Sequence, residues 1–247
     1  MGMAKKKLPD CSFIDVHAHI LPGIDDGAKT IFDSRLLVAQ LRSEGAKAII
    51  CTPHYIPNTD SVSPKEANEA LLFDLKQTEQ ARTKLYLGNE LYIDVDIDVF
   101  LKKKLISPLA GSKYLLVELP MSGKFDDYED ILNYLNRSYK VILAHPERYT
   151  SFQKDFSKIE RLVEYGILLQ CNYGTLMGQY GKEAEKTLKK ILKNHYAFCF
   201  GSDIHHLRED GYYKRAIEKL YKVVRNEQYF RDIIYNNPSK IILKKYK

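Results

Sequence analysis

The chain has 247 residues, 45% of them hydrophobic, and a net charge of +6, enough apolar content for one sizeable α/β core. No apolar run approaches the roughly 18 residues of a membrane-spanning helix, and residues 1–10 lack the apolar segment of a secretory signal. The four cysteines (Cys11, Cys51, Cys171, Cys199) are far apart and read as reduced thiols; a cytoplasmic location is therefore expected.

Lysines gather at Lys5–Lys7, Lys102–Lys104 and Lys244–Lys247. Such clusters read as solvated faces, without the dense basic stripe and interleaved aromatics of a nucleic-acid groove, so no nucleic-acid partner is expected. A basic extension over residues 1–12 precedes the first strand-like run, and one domain is expected over 13–247.

Short β-branched or aliphatic runs alternate with helical patterns along the whole chain. Strands are predicted at Phe13–His17, Ala48–Thr52, Lys84–Leu87, Tyr114–Glu118, Val141–Ala144, Ile167–Cys171 and Ala197–Phe200. Between them the spacing predicts helices at Ile31–Glu44, Pro64–Ala81, Asp94–Lys103, Asp127–Arg137, Phe156–Tyr165 and Lys182–Asn194. Tyr212–Arg225, Glu227–Tyr235 and a short Pro238–Leu243 piece follow. Strands alternating with helices imply a parallel sheet. Seven units without a linker favour a (β/α)7, TIM-like barrel over an open sheet, and no Gly-x-Gly-x-x-Gly follows a strand.

In such a barrel the chemistry sits where strands end. The first strand ends in His17-Ala18-His19, two imidazoles on one face because side-chain direction repeats every second residue. Asp26 follows in the first loop, then His54, Glu90, Glu118 and His145 after successive strands, and Asp203 and His205 after the last. Taken singly, each has a plainer reading: His54 and His145 as turn residues beside proline, Asp25 and Asp26 as Asp-Gly turn formers. Glu118 ends an apolar run in which an unpaired carboxylate is costly to bury. Taken together, five imidazoles and four carboxylates at one barrel mouth point to a metal site, and nine donors exceed the needs of one ion.

His17-Ala18-His19-Ile20-Leu21-Pro22-Gly23-Ile24-Asp25-Asp26-Gly27-Ala28, Thr52-Pro53-His54, Ala144-His145-Pro146-Glu147-Arg148-Tyr149 and Ser202-Asp203-Ile204-His205-His206 resemble the polymerase and histidinol phosphatase (PHP) superfamily. Within it the match is to the bacterial capsule and exopolysaccharide tyrosine-protein phosphatases of the CpsB/YwqE type. The resemblance runs from about Phe13 to the C-terminus. It implies a distorted (β/α)7 barrel and three divalent ions, usually Mn2+, with iron and zinc also compatible with mixed His/carboxylate sites. It places His17, His19, Glu90 and Asp203 on one ion. Glu90 would bridge to a second ion with Glu118 and His145, and Asp26, His54 and His205 would hold the third. Arg148 and Arg208 are implied as the phosphate-binding, catalytic arginines, and a tyrosine kinase regulating polysaccharide synthesis as the source of the phosphotyrosine. His206 has no assigned role.

Metal-bound water ionises near neutral pH and supplies a hydroxide nucleophile. Cysteine-based chemistry is not supported: the residues six positions after the four cysteines are His17, Pro57, Met177 and His205, where a thiolate phosphate loop requires arginine. Residues 172–181, with three glycines and two tyrosines, read either as a mobile aromatic rim of the active face or as a long turn. Two other functions remain open, a small-molecule phosphatase such as one for histidinol phosphate and a non-catalytic kinase-docking barrel. Oligomeric state is not legible.

Overall fold

The computed structural model describes residues 9–57, 59, 64–79, 83–93, 105–121 and 125–243. The expected helix Asp94–Lys103 and the three lysine clusters lie outside the described residues. Among the described residues, nine strand segments, all paired in parallel, form two ribbons. One orders β1 (Phe13–Ala18), β2 (Ala46–Cys51) and β4 (Lys84–Leu87). The other orders β3 (His54–Tyr55), β5 (Glu90–Tyr92), β6 (Tyr114–Glu118), β7 (Lys140–Ala144), β8 (Leu168–Asn172) and β9 (Ala197–Gly201).

The predicted strands are all present to within two residues at either end, and two segments were not foreseen. β3 continues β2 beyond Thr52-Pro53, and β5 continues β4 beyond Gly88-Asn89. Gly88 N donates to Cys51 O at 2.8 Å and Glu90 N to Pro53 O at 3.1 Å, so the two breaks lie side by side. Past β9, Asp203 N donates to His17 O at 2.9 Å and His19 N to Ile204 O at 3.0 Å. The last strand thereby returns to the first, giving a seven-stranded TIM-like barrel.

Alternation sorts the side chains into two layers. Leu115, Val117 and Leu143 face outward into the helical layer, in a cluster shared with Leu37 and Leu41 of α1 (Ile31–Ser43) and Leu75 of α2 (Lys65–Glu79). Val16, Ile50, Leu116, Ile142 and Cys199 form a separate inner cluster, joined by Leu109 and by Ile241 of the last helix. The remaining helices are α3 (Glu129–Asn136), α4 (Thr150–Lys154), α5 (Ser157–Glu164), α6 (Tyr173–Leu176), α7 (Gly181–Lys193), α8 (Tyr212–Val224), α9 (Glu227–Arg231) and α10 (Asn237–Leu243).

Three differences from expectation have local causes. A π-helical turn, Asp232–Asn236, joins α9 to α10 without an interruption; the wider turn ends two residues before Pro238, which has no N–H to continue a regular ladder. Residues 173–176 are a buried helical turn rather than part of a mobile rim. Between Asp15 and Ala18, β1 sets two residues, Val16 and His17, against one of β2, Ile50, a bulge at His17. No helix among the described residues is long and apolar enough to cross a membrane.

Candidate metal centre

All nine predicted donor residues lie at one end of the barrel. Glu90, at the start of β5, is at their middle and only 1% exposed. Its Oε2 is 3.0 Å from His54 Nδ1, 3.2 Å from His17 Nε2 and 3.3 Å from His19 Nε2, and its Oε1 is 3.0 Å from His145 Nε2. Asp203 Oδ1 lies 3.4 Å from His17 Nε2 and 3.5 Å from His19 Nε2. Glu118 Oε1 is 3.5 Å from His145 Nε2. Asp26 Oδ1 is 3.2 Å from His205 Nε2 and 3.6 Å from His54 Nε2.

Among the described residues, three groups have potential ligand atoms within 4.8 Å of one another: His17, His19 and Asp203; His54, Glu90 and Glu118; and His19, Asp26, His54 and His205. The grouping overlaps the division expected from sequence but differs from it: His145 falls in none of the three groups, Glu90 groups with His54 and Glu118 only, and His19 and His54 each belong to two groups.

Local backbone features aim these side chains. Thr30 caps α1, its Oγ1 accepting from Asp33 N at 3.2 Å while Thr30 N donates to Asp33 Oδ2 at 2.9 Å. A cap of this kind is worth about 1 kcal/mol, and it ends the loop that carries Asp26. Gly27 is required there, because a Cβ would stand 2.1 Å from His19 O. His145 and Asp203 have left-handed backbones, φ 36° and 51°, a strain of about 1–3 kcal/mol each that turns both side chains into the cluster.

The donor set suits cations. His19 Nδ1 meets Asp25 Oδ2 at 2.8 Å and His17 Nδ1 meets Gln170 Oε1 at 2.8 Å. With both Nδ1 atoms engaged by acceptors, the two Nε2 atoms, 3.0 Å apart, present lone pairs to each other and to two carboxylates. Such a buried cluster of electron-pair donors is costly unless positive charge enters it.

Beside the cluster opens a cavity of about 510 Å³. Arg148, Arg208, Tyr180 and His206 line it with seven of the nine predicted donors, all but His17 and His19. Arg148 Nη1 donates to Asp203 Oδ2 at 2.9 Å, and its guanidinium lies 4.4 Å from the Tyr180 ring centre. Arg208 lies 5.5 Å from the Tyr212 ring centre, and its Nε is buried without a hydrogen-bond partner. Gln40 pins the Arg208 backbone from both sides, donating to its carbonyl at 2.9 Å and accepting from its N–H at 3.0 Å.

The chain matches the family described as capsular polysaccharide synthesis, CpsB/CapC, over residues 13–243. The chain belongs to the CpsB/CapC family. It is 28% identical over 211 residues to the tyrosine-protein phosphatase YwqE of Bacillus subtilis, covering 84% of this chain and 82% of that one. It is 25% identical over 238 residues to the tyrosine-protein phosphatase CpsB of Streptococcus pneumoniae, covering 93% and 98%. A crystal structure from work on those two proteins, described as metal-dependent tyrosine phosphatases, superposes with a TM-score of 0.80 at 26% identity and 95% coverage of both chains.

Several polar residues of this CpsB/CapC chain were not singled out by sequence reasoning. Asp25, read only as a turn former, accepts from His19, from Gly27 N at 2.9 Å and from His54 N at 3.1 Å. Burial works against its charge, yet these bonds hold its carboxyl well below the usual range. Glu147, fully buried, accepts from Asn172 N and from Thr175 Oγ1, each at 2.8 Å. Tyr180 was visible only as part of a glycine-rich segment, and Gln170 and Asn172 only as alternate polar residues ending an apolar strand.

The proton chemistry of the CpsB/CapC cluster gives a test by metal removal. Burial disfavours the His17 imidazolium, but Glu90 and Asp203 outweigh it and lift the group from 6.5 to about 9. Burial and the neighbouring Glu90 charge push Glu118 from 4.5 up to about 8. Without metal, protons take the place of cations in the cluster: His17, at Nε2, and Glu118 then hold protons in the fold that the unfolded chain has already released, and a bound cation would displace them. Their contribution to stability is complete below 6.5 and 4.5, respectively, and is lost as pH rises through about 8 to 9. Chelator-treated protein is therefore expected to melt at progressively lower temperature between pH 7 and 9.5, followed by circular dichroism. A melting temperature that rises over that window would contradict the assignment.

Proposed function

We propose that this chain is a metal-dependent protein-tyrosine phosphatase, acting on the phosphotyrosine of a bacterial tyrosine kinase that regulates capsular or exopolysaccharide synthesis. The observation that carries this reading is the Glu90 carboxylate within 3.3 Å of four imidazole nitrogens, beside a cavity edged by two arginines. The activity printed in the names of YwqE and CpsB supports the substrate class.

His17, His19, Glu90 and Asp203 would hold one ion, and Glu90, Glu118 and His145 a second. Asp26, His54 and His205 would hold a third, with Mn2+ the expected metal. Bound divalent ions supply Lewis acidity and acidify a water near neutral pH. The phosphoryl group would enter the cavity, where Arg148 and Arg208 bind its non-bridging oxygens through paired N–H donors. Tyr180 serves Arg148 as a platform rather than as a proton donor, since burial and the Asp203 charge raise its hydroxyl above the ordinary value. A phenolate leaving group with a pKa of about 10 needs no strong acid, and the cationic surroundings would stabilise it. The phosphatase unit would span residues 13–247, with 1–12 as an extension.

The deciding experiment compares turnover of a phosphotyrosyl peptide with that of histidinol phosphate, both with added manganese. Preferential hydrolysis of the peptide is expected. Slow peptide turnover beside brisk release of phosphate from histidinol phosphate would replace this reading with a small-molecule phosphatase.

A further inference from the structure

Six of the seven barrel strands, counting β2 with β3 and β4 with β5, lead into a donor of the cluster. The exception is β8, whose end carries Gln170 and Asn172, both fully buried. These two side chains connect His17 to Asp203. Asn172 Nδ2 donates to Asp203 Oδ2 at 2.8 Å, and Gln170 Nε2 donates to Asn172 Oδ1 at 2.8 Å and to Cys171 O at 2.8 Å. Gln170 Oε1 then faces His17 Nδ1 at 2.8 Å.

The direction of every bond in this series follows from one end. Arg148 Nη1 donates to Asp203 Oδ2 at 2.9 Å, and a carboxylate paired with a guanidinium only accepts. Asn172 must therefore present its NH2 to Asp203 and its oxygen to Gln170. Gln170, with both amide hydrogens taken by Asn172 and Cys171, has only its oxygen left for His17. His17 must then carry hydrogen on Nδ1 and turn its Nε2 lone pair to the cluster. At the other end, Asp203 Oδ2 is occupied by Asn172 and Arg148, which leaves Oδ1 facing His17 and His19. The close fit is built into the neighbouring strand: at Gly201 a Cβ would stand 2.6 Å from His17 Cβ and 2.9 Å from Gln170 Nε2.

We propose that Gln170 and Asn172 are positioning residues that set the metal-binding tautomer of His17 and orient Asp203 toward the same cation. This rests on the metal-centre reading above, and it gives the one strand without a ligand a role in building the first ion's site. Hydrogen-bond partners of this kind hold ligand orientation, and their loss commonly costs about 10- to 100-fold in metal affinity.

The test uses zinc, a diamagnetic probe, added to the full chain after chelation. Calorimetric titration reads affinity for each site, and long-range 1H–15N spectra of 15N-histidine-labelled protein read the tautomer of His17. Gln170→Met keeps the volume but removes the acceptor; it is expected to weaken one zinc site about 10- to 100-fold and to disturb the Nδ1–H signature of His17. Gln170→Glu keeps an acceptor on Nδ1 and is expected to retain the tautomer and more of the affinity than Gln170→Met. Asn172→Ala should weaken the same site, and the double variant should fall short of the summed effects, because the two act in series. Either of two results would overturn the proposal: Gln170→Met binding zinc as wild type with the tautomer intact, or Gln170→Met outperforming Gln170→Glu, as simple space-filling requires. Wild-type protein that takes up no zinc or manganese would instead refute the metal-centre reading itself.

Discussion

Glu90→Gln is expected to abolish turnover while leaving the fold in place. The substitution conserves volume, but it removes one negative charge from the middle of the cluster. It also sets an NH2 group where one carboxylate oxygen now faces an imidazole nitrogen at 3.0 Å. One carboxylate serves four imidazoles, so its loss cannot be made good by a neighbour; Glu118 already lies against His145. Bound cations contribute several kcal/mol to transition-state stabilisation. Losing about 4 kcal/mol corresponds to roughly a thousandfold in rate. Metal content by elemental analysis should fall in the same variant, and its far-UV circular dichroism should match chelated wild type, with a lower melting temperature near neutral pH because His17 loses its Glu90 partner. A variant with full metal content and unchanged kcat would remove Glu90 from the centre.

Arg148→Ala is expected to behave in the opposite way toward metal. Asp203 Oδ2 keeps Asn172 at 2.8 Å when the guanidinium is gone, so the donor set should stay assembled and metal content should hold. What disappears is a planar double donor at the cavity edge. Removing a single preorganised donor to a developing anion costs about 10²–10³ in kcat, and kcat/KM on a phosphotyrosyl peptide should fall at least that far. Inhibition by inorganic phosphate should weaken in parallel. Arg148→Lys should recover only part of the loss, because a point charge does not reproduce the bidentate fork or the stacking on Tyr180. Unchanged kinetics in Arg148→Ala would show that the side chain is only an ion-pair partner of Asp203.

Much of this molecule is legible one residue at a time. Helix-length segments between aliphatic runs announce the alternating architecture, and an imidazole or carboxylate after nearly every run announces the cluster. The strands that carry the two middle donors were harder to see. His54–Tyr55 and Glu90–Tyr92 have two and three residues, too few to show a period, and each follows a break that a reader of local pattern takes for a strand end. The left-handed backbones of His145 and Asp203 carry no sequence sign, since neither is glycine. The segment 172–181 left two readings open because glycines suit both a rim and a turn; Tyr173–Leu176 is buried in the core, whereas Gln179 and Tyr180 reach the cavity.

From the amino-acid order alone came the class of fold, the nine imidazoles and carboxylates that gather at one barrel end, and the absence of an arginine six positions after any cysteine, all of which depend on periodicity and side-chain chemistry within short windows. The tertiary structure alone decided which nitrogen of each histidine faces inward and which groups share a ligand. It also decided what holds the arginines in place. Those features depend on partners far away in the chain: His17 meets Gln170 across 153 positions, and Arg208 meets Gln40 across 168. Hydrogen-bond direction is a property of the pair, and a pair exists only once the barrel has closed.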